Sequence, residues 1–321
     1  MSAAFIVRKP GICSTLQDPG RTGYRAYGVP GSGALDPVMC TLANQLVGNV
    51  AACPAIEMLY SGMTMELQSG GAHVSVCGAE ATVLGRGAER KLEPWHSTLL
   101  AAGETLRVGT VRDTAAAYLA VRGSFDVPPV LGSFATHPRA SLGGFGGRPL
   151  QRGDVIPLNH EHVTGVERRL TRALDLRAPS ELRVMLGPHA DRFEKESIGV
   201  LLSSEYVVSP SSDRSGLRLE GPVVRHIDGH DAMSEGVATG SIQVPGSGKP
   251  VILIADHPTV GGYPKIATII SADLPAAGRL RIGSHLRIRA VDEDEAARAR
   301  HELKAFVEDL ESSIVDVGKR T

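Results

Sequence analysis

Short aliphatic runs, each closed by glycine or proline, recur along most of this 321-residue chain and limit what it can fold into. The 37 glycines and 20 prolines punctuate segments such as Met63–Leu67, His73–Val76, Thr105–Val108 and Ala117–Val121. Runs of four to six β-favouring residues between turn formers are too short for helices and have the spacing of barrel or sandwich strands. Aromatics make up only 4% of the chain, so Val, Ile, Leu and Ala must build the core. The expected fold class is mostly β, with a few short helices.

The pattern continues with strands at Phe5–Val7, Val155–Leu158, Leu182–Leu186, Tyr206–Val208, Val251–Ile254, Ile266–Ile270 and Leu286–Ala290. Two helices interrupt it. Asp36-Pro37 is a helix start, with the carboxylate as N-cap and proline at the first helical position. Asp292 to about Ile314 is a terminal helix, with Leu303, Phe306, Val307 and Leu310 on one face. The charged, Arg-rich stretch after Asn159 has few β formers. The chain therefore divides into an N-terminal lobe (1–160), a linker (161–180) and a C-terminal lobe carrying the terminal helix (181–321). Two blocks recur in order: Arg21-Thr-Gly-Tyr-Arg25 echoes Arg214-Ser-Gly-Leu-Arg218, and Val29-Pro-Gly-Ser-Gly33 matches Val244-Pro-Gly-Ser-Gly248. This suggests two related lobes.

Charge narrows the function classes. Thirty-four basic against 35 acidic side chains leave no basic field for nucleic acid or an anionic membrane surface. The start of the chain lacks a basic region followed by a long apolar one, and no apolar run spans a bilayer, so a cytoplasmic protein is expected. The spacing of Cys13, Cys40, Cys53 and Cys77 matches no zinc pattern, and the eleven histidines show no paired-ligand spacing. No metal site is expected. The four cysteines fit small buried apolar side chains.

Chemistry concentrates between Gly240 and Lys265. An apolar strand, Val251–Ala255, ends at Asp256 and His257, where a rigid scaffold can present side chains. Gly261-Gly262 allows close approach of backbone, and Tyr263 and Lys265 follow. A carboxylate, an imidazole, a phenol and an ammonium within ten residues suit acid–base work or binding of a polar amide or carboxylate. They also fit a decorated surface turn. Asp256, Tyr263 and Lys265 are the candidate catalytic residues. Gln243, Arg214, Glu235 and His257, with Arg21 and Ser32 of the echoing N-terminal block, are the candidate substrate-binding residues. Arg214 either clamps a substrate carboxylate or pairs with Asp213 or Glu235. Gly246-Ser-Gly-Lys249 is no phosphate-binding P-loop, because Pro250 stands where the Mg²⁺-binding hydroxyl is required.

Together, Gln17-Asp-Pro-Gly-Arg-Thr-Gly-Tyr-Arg25, Gly28-Val-Pro-Gly-Ser-Gly-Ala-Leu-Asp-Pro37, Ser212-Asp-Arg-Ser-Gly-Leu-Arg-Leu-Glu-Gly221 and residues 240–265 resemble the allophanate hydrolase subunit 2 family. Tyr118–Gly123 and Asp126–Ser133 fit as well. That family includes the C component of 5-oxoprolinase and the matching half of the biotin-dependent carboxyltransferase domain of urea carboxylase. The resemblance runs from about Phe5 to Ala290. It implies two cyclophilin-like β-barrel lobes and a partner of the allophanate hydrolase subunit 1 type that completes the site. It implies an ATP-dependent opening of 5-oxo-L-proline to L-glutamate, with ATP used by the complex. Two alternatives are a carboxyltransferase or allophanate hydrolase subunit acting on urea or a related small amide, and a non-catalytic regulator that binds a kinase-inhibitor partner. Three blocks depart from the family pattern. Gly248-Lys-Pro-Val251 replaces Gly-Gln-Pro-Ile, and His257-Pro-Thr-Val260 replaces a Gln-Thr-Thr-like run. Ser212-Asp-Arg-Ser-Gly-Leu217 replaces Ser-Asp-Arg-Met-Gly-Tyr. No biotin-attachment Met-Lys-Met occurs, so biotin is not expected on this chain.

Overall fold

The computed structural model describes residues 3–85, 87–159, 165–172 and 174–317. It is mostly β. The chain forms two units by contact. One comprises residues 1–21, 32–176 and 306–321. The other comprises residues 22–31 and 177–305. Of the expected linker, residues 161–164 and 173 lie outside the described residues. Segment 22–31 belongs to the second unit although residues on both sides of it belong to the first.

The first unit holds two sheets. One runs in the order Val155–Pro157, Ala4–Lys9, Thr64–Ser69, Thr105–Val108, Ala81–Leu84, Glu89–Leu92. The other runs Cys13–Gln17, Ala55–Leu59, Ala116–Val121, Gly71–Cys77, Ser97–Ala101. Phe5, Val7, Met65, Leu67 and Leu106 of the first sheet share one core with Leu16, Ile56, Met58, Val74 and Leu119 of the second. The helix Pro37–Leu46 packs on Ala116–Val121 and Gly71–Cys77. All six residues of Ala116–Val121 are consequently buried, which explains its continuous apolar sequence. Asp36 caps that helix as expected, accepting from the N–H groups of Val38 and Met39 at 3.0 and 3.1 Å. Of the cysteines, Cys40 and Cys77 are buried, Cys13 and Cys53 are partly exposed, and none of the four is in a disulfide.

The second unit closes into a seven-stranded barrel: Glu181–Leu186, Lys265–Ile269, Ser241–Gln243, Val251–Leu253, Gly216–Glu220, Glu205–Val208, His285–Ala290. Closure occurs through a parallel pair, His285–Ala290 beside Glu181–Leu186. Alternation sends Leu286 and Ile288 inward while His285, Arg287 and Arg289 stay outside. The terminal helix spans Glu293–Ser312, and Asp292 accepts from the Glu295 N–H at 2.8 Å. On its expected apolar face Leu310 is buried, whereas Leu303, Phe306 and Val307 are half-buried.

The echoing blocks adopt different local structure. Arg25 opens a 3₁₀ turn, Arg25–Tyr27, whereas Gly216–Arg218 lies in a barrel strand. Gly246–Lys249 lies in a tight turn in which Gly248 N–H donates to Pro245 O at 2.9 Å, and the Lys249 ammonium pairs with Glu220. Among the described residues no helix is long and apolar enough to cross a membrane.

Candidate functional site

Seven of the nine candidate site residues belong to the second unit, on strand ends and the turns beyond them. Arg21 and Ser32 belong to the first. Arg21 is buried, and its guanidinium donates to the carbonyls of Val130 and Ala135 at 3.0 and 2.8 Å, so it ties loops together there. Ser32 has a positive φ of 55°, and its buried hydroxyl has no hydrogen-bond partner among the described residues.

The strand Val251–Leu253 delivers Asp256 as expected, but to an internal partner. Arg214 Nε and Nη2 donate to Asp256 Oδ2 and Oδ1 at 2.8 and 3.0 Å, a bidentate pair. The two side chains are 7% and 6% exposed. Of the two options for Arg214, a substrate clamp or a pair with Asp213 or Glu235, neither describes this contact. Its partner comes from the neighbouring strand end, where Asp256 N–H also donates to Arg214 O at 2.8 Å. Removing one partner of such a pair strands the other charge in a poorly solvated place and costs about 3–5 kcal/mol.

A second cluster forms around Lys265, the first residue of its strand. Its ammonium lies 2.7 Å from Glu235 Oε1 and 3.2 Å from Gly236 O. Glu235 sits on a two-residue ribbon, Glu235–Gly236 paired with Val260–Gly261. The hydrogen bond from Lys265 holds the Glu235 carboxyl below the usual carboxylate range. A bulge between Ile242 and Gln243 sets Gln243 opposite Lys265. Gln243 is buried, and its Nε2 donates to Tyr263 O at 3.3 Å, which shapes the turn into Lys265. A Cβ on Gly261 would stand 2.5 Å from Gln243 Nε2, so a larger residue there displaces the end of the Gln243 side chain. The Tyr263 side chain is exposed.

His257 is almost fully buried and has one allowed tautomer. Nδ1 lies 2.7 Å from the Pro258 carbonyl, so it carries the proton and donates. Nε2 therefore presents a lone pair, which accepts from the Thr239 hydroxyl at 3.0 Å. Arg25 Nη1 stands 3.5 Å from the same nitrogen, and Arg25 Nη2 donates to Val237 O. Burial, helped by the Arg25 charge, holds this imidazole below the ordinary histidine range and so neutral at neutral pH.

Three residues at these clusters carry no signal in the pattern of residues 240–265. His189 accepts from Lys265 N–H on Nδ1 at 3.1 Å, and its Nε2 faces Glu235 Oε1 at 3.2 Å. It follows the end of the strand Glu181–Leu186, so the strand-end logic that selects Asp256 also finds it. Thr239 and Arg25 have no comparable cue. Arg25 lies over two hundred positions from His257 in sequence, and only the fold joins them.

Comparison with known proteins identifies the class to which the chain belongs. Residues 27–290 match the family model "Carboxyltransferase domain, subdomain A and B", and the chain belongs to that family. It is 32% identical to the C component of 5-oxoprolinase from Escherichia coli K12, over 94% of this chain and 96% of that protein. It is 31% identical to the urea amidolyase of Lachancea kluyveri, over 96% of this chain but 18% of that protein. The solved urea carboxylase of Kluyveromyces lactis superposes with a TM-score of 0.86 at 28% identity, covering 98% of this chain and 30% of that one.

Proposed function

We propose that this chain is a subunit of an ATP-dependent amidohydrolase that opens 5-oxo-L-proline to L-glutamate, working with a partner of the allophanate hydrolase subunit 1 type. The observation that carries this reading is the similarity to the 5-oxoprolinase C component along nearly the whole of both chains. The geometry supports it. A lactam is an unactivated amide. ATP, as co-substrate in the complex, would phosphorylate its oxygen, water would add to the carbon, the ring C–N bond would break as the nitrogen takes up a proton to leave an acyl phosphate, and a second water would release phosphate and the free carboxylate. In this reading the Lys265 ammonium, aligned by Glu235 and Gly236, faces charge that develops on the amide oxygen, and the exposed Tyr263 phenol supplies a proton. Asp256 has both oxygens engaged by Arg214, and so acts by holding the turn that carries His257 rather than by touching substrate.

The test is ATP turnover by the chain purified with its partner subunits, with 5-oxoproline or urea added. ADP release that requires 5-oxoproline supports the reading. A carboxyltransferase reading is favoured by the fold shared with urea carboxylase. It needs a carboxybiotin donor on another chain, and carboxyl transfer from such a carrier to urea, without 5-oxoproline-dependent ATP turnover, would replace the first reading with it.

A further inference from the structure

The segment 22–31 brings a guanidinium to the second unit that neither the apolar pattern nor the candidate residues above assign to a role. Its backbone is fixed locally. Tyr27 N–H and Gly28 N–H close the 3₁₀ turn on Tyr24 O and Arg25 O, both at 3.0 Å, and Gly28 ends the turn at φ 77°. The Arg25 side chain is exposed, yet its head group is aimed. Val237 O accepts from Nη2, and the His257 Nε2 lone pair faces Nη1 at 3.5 Å. A guanidinium has about five N–H donors in a planar fork, and these two acceptors use two of them. No carboxylate lies within ion-pair distance of Arg25 among the described residues. The cation is therefore oriented by neutral acceptors, and its charge is left uncompensated.

Next to it stands a group of opposite hydrogen-bonding character. Thr239 gives its proton to His257 Nε2, so its oxygen turns only lone pairs outward. Thr239 is exposed enough to be reached, and His257 is 1% exposed. One imidazole nitrogen thus sets an unfilled cationic fork and a hydroxyl acceptor side by side. A molecule that carries a carboxylate on the carbon next to an amide N–H complements this pair. The carboxylate takes two guanidinium N–H groups, and the amide N–H donates to the threonine oxygen.

We propose that Arg25, with Thr239 beside it, is the specificity site for the α-carboxylate of a cyclic amide substrate, and that segment 22–31 is held on the second unit to supply it. The proposal rests on the 5-oxoproline reading above. It makes Arg25 a binding residue that distinguishes an amide bearing a carboxylate from one that lacks it, and it leaves the chemistry to the Lys265 cluster.

The experiment measures kcat and KM of the assembled complex for 5-oxoproline, for 2-pyrrolidinone (the same lactam without the carboxylate) and for ATP. Arg25→Gln and Arg25→Lys are compared with the native chain. Arg25→Gln is expected to raise KM for 5-oxoproline about 30-fold or more, to leave the ATP KM unchanged, and to collapse the native preference over 2-pyrrolidinone. Arg25→Lys keeps the charge but loses the fork, and is expected to recover part of that preference. Both variants should unfold within about 2 °C of the native chain, since Arg25 is exposed. An unchanged preference in both variants overturns the proposal while the 5-oxoproline reading stands. A raised ATP KM instead assigns Arg25 to phosphate and overturns the carboxylate assignment. A native complex with no 5-oxoproline-dependent turnover overturns both.

Discussion

Asp256→Ala is the obvious probe of the site, and the Arg214 pair determines what it does. The substitution leaves a guanidinium that is 7% exposed without either of its two carboxylate contacts at 2.8 and 3.0 Å. The expected cost is about 3–5 kcal/mol. At about 2–4 °C per kcal/mol for a unit of this size, that is a fall of roughly 6–20 °C in unfolding temperature. Arg214→Met alone should cost a comparable amount, because it strands the carboxylate instead. The double variant Arg214→Met/Asp256→Leu removes both charges and fills the volume with apolar groups. With Asp256→Leu as the matching single variant, it should recover at least half of the summed loss, which gives a coupling energy of at least about 3–5 kcal/mol in the cycle. Trp95, the one tryptophan, lies in the first unit, so its fluorescence does not report the barrel. Hydrogen exchange at Leu217 and Ile252, which face each other across the barrel strands beside the pair, is the appropriate readout. Single variants that stay within about 2 °C of the native chain, or a double variant as damaged as the sum of the singles, would refute the assignment of Asp256 to a structural pair.

Further outcomes follow from the same geometry. Glu235→Gln removes one charge of a pair whose carboxylate is 45% exposed. It should leave the unfolding temperature within about 2 °C while lowering turnover of the complex at least about tenfold. Gly261→Ala places a Cβ 2.5 Å from Gln243 Nε2 and 3.2 Å from Val237 Cγ1, and should cost about 1–3 kcal/mol in urea unfolding. His73 is fully buried, with Nε2 2.7 Å from Ser97 Oγ and no hydrogen-bond partner for Nδ1 among the described residues. Burial, with a smaller push from Arg122, brings its pKa down to about 4 from 6.5. The unfolded chain then binds the proton more tightly. The stabilisation is therefore complete above pH 6.5 and is lost as pH falls through 4. It amounts to about 3 kcal/mol at most. His73→Gln should flatten the pH dependence of the urea midpoint in that window.

Much of the fold is legible in the sequence because short apolar runs between turn formers carry their own boundaries. Thr105–Val108 coincides with its strand, and Ala116–Val121, Lys265–Ile269 and His285–Ala290 differ from expectation by one residue at one or both ends. Asp36 and Asp292 announce their helices, because capping is local chemistry. Cys13–Gln17 gives no such signal, because its buried positions include the polar Ser14, Thr15 and Gln17; the Ser14 hydroxyl donates to Pro10 O, and Gln17 Nε2 donates to Thr15 Oγ1 and to the distant Thr136 carbonyl. The site is legible as a neighbourhood and not as a set of pairs. Residues 240–265 deliver Asp256, His257 and Lys265 to strand ends, but each finds a partner outside that block: Arg214 for Asp256, Arg25 for His257, and Glu235 and His189 around Lys265. Partners brought by barrel closure, or by a segment as distant in sequence as 22–31, leave no periodic trace.

The most direct test of the account is product formation by the complex assembled from this chain and its partner subunits, supplied with ATP and 5-oxo-L-proline. L-glutamate and ADP are expected in equal amounts, and neither product when 5-oxoproline is withheld. ATP hydrolysis without glutamate, or turnover that requires carboxybiotin and urea instead, would contradict it.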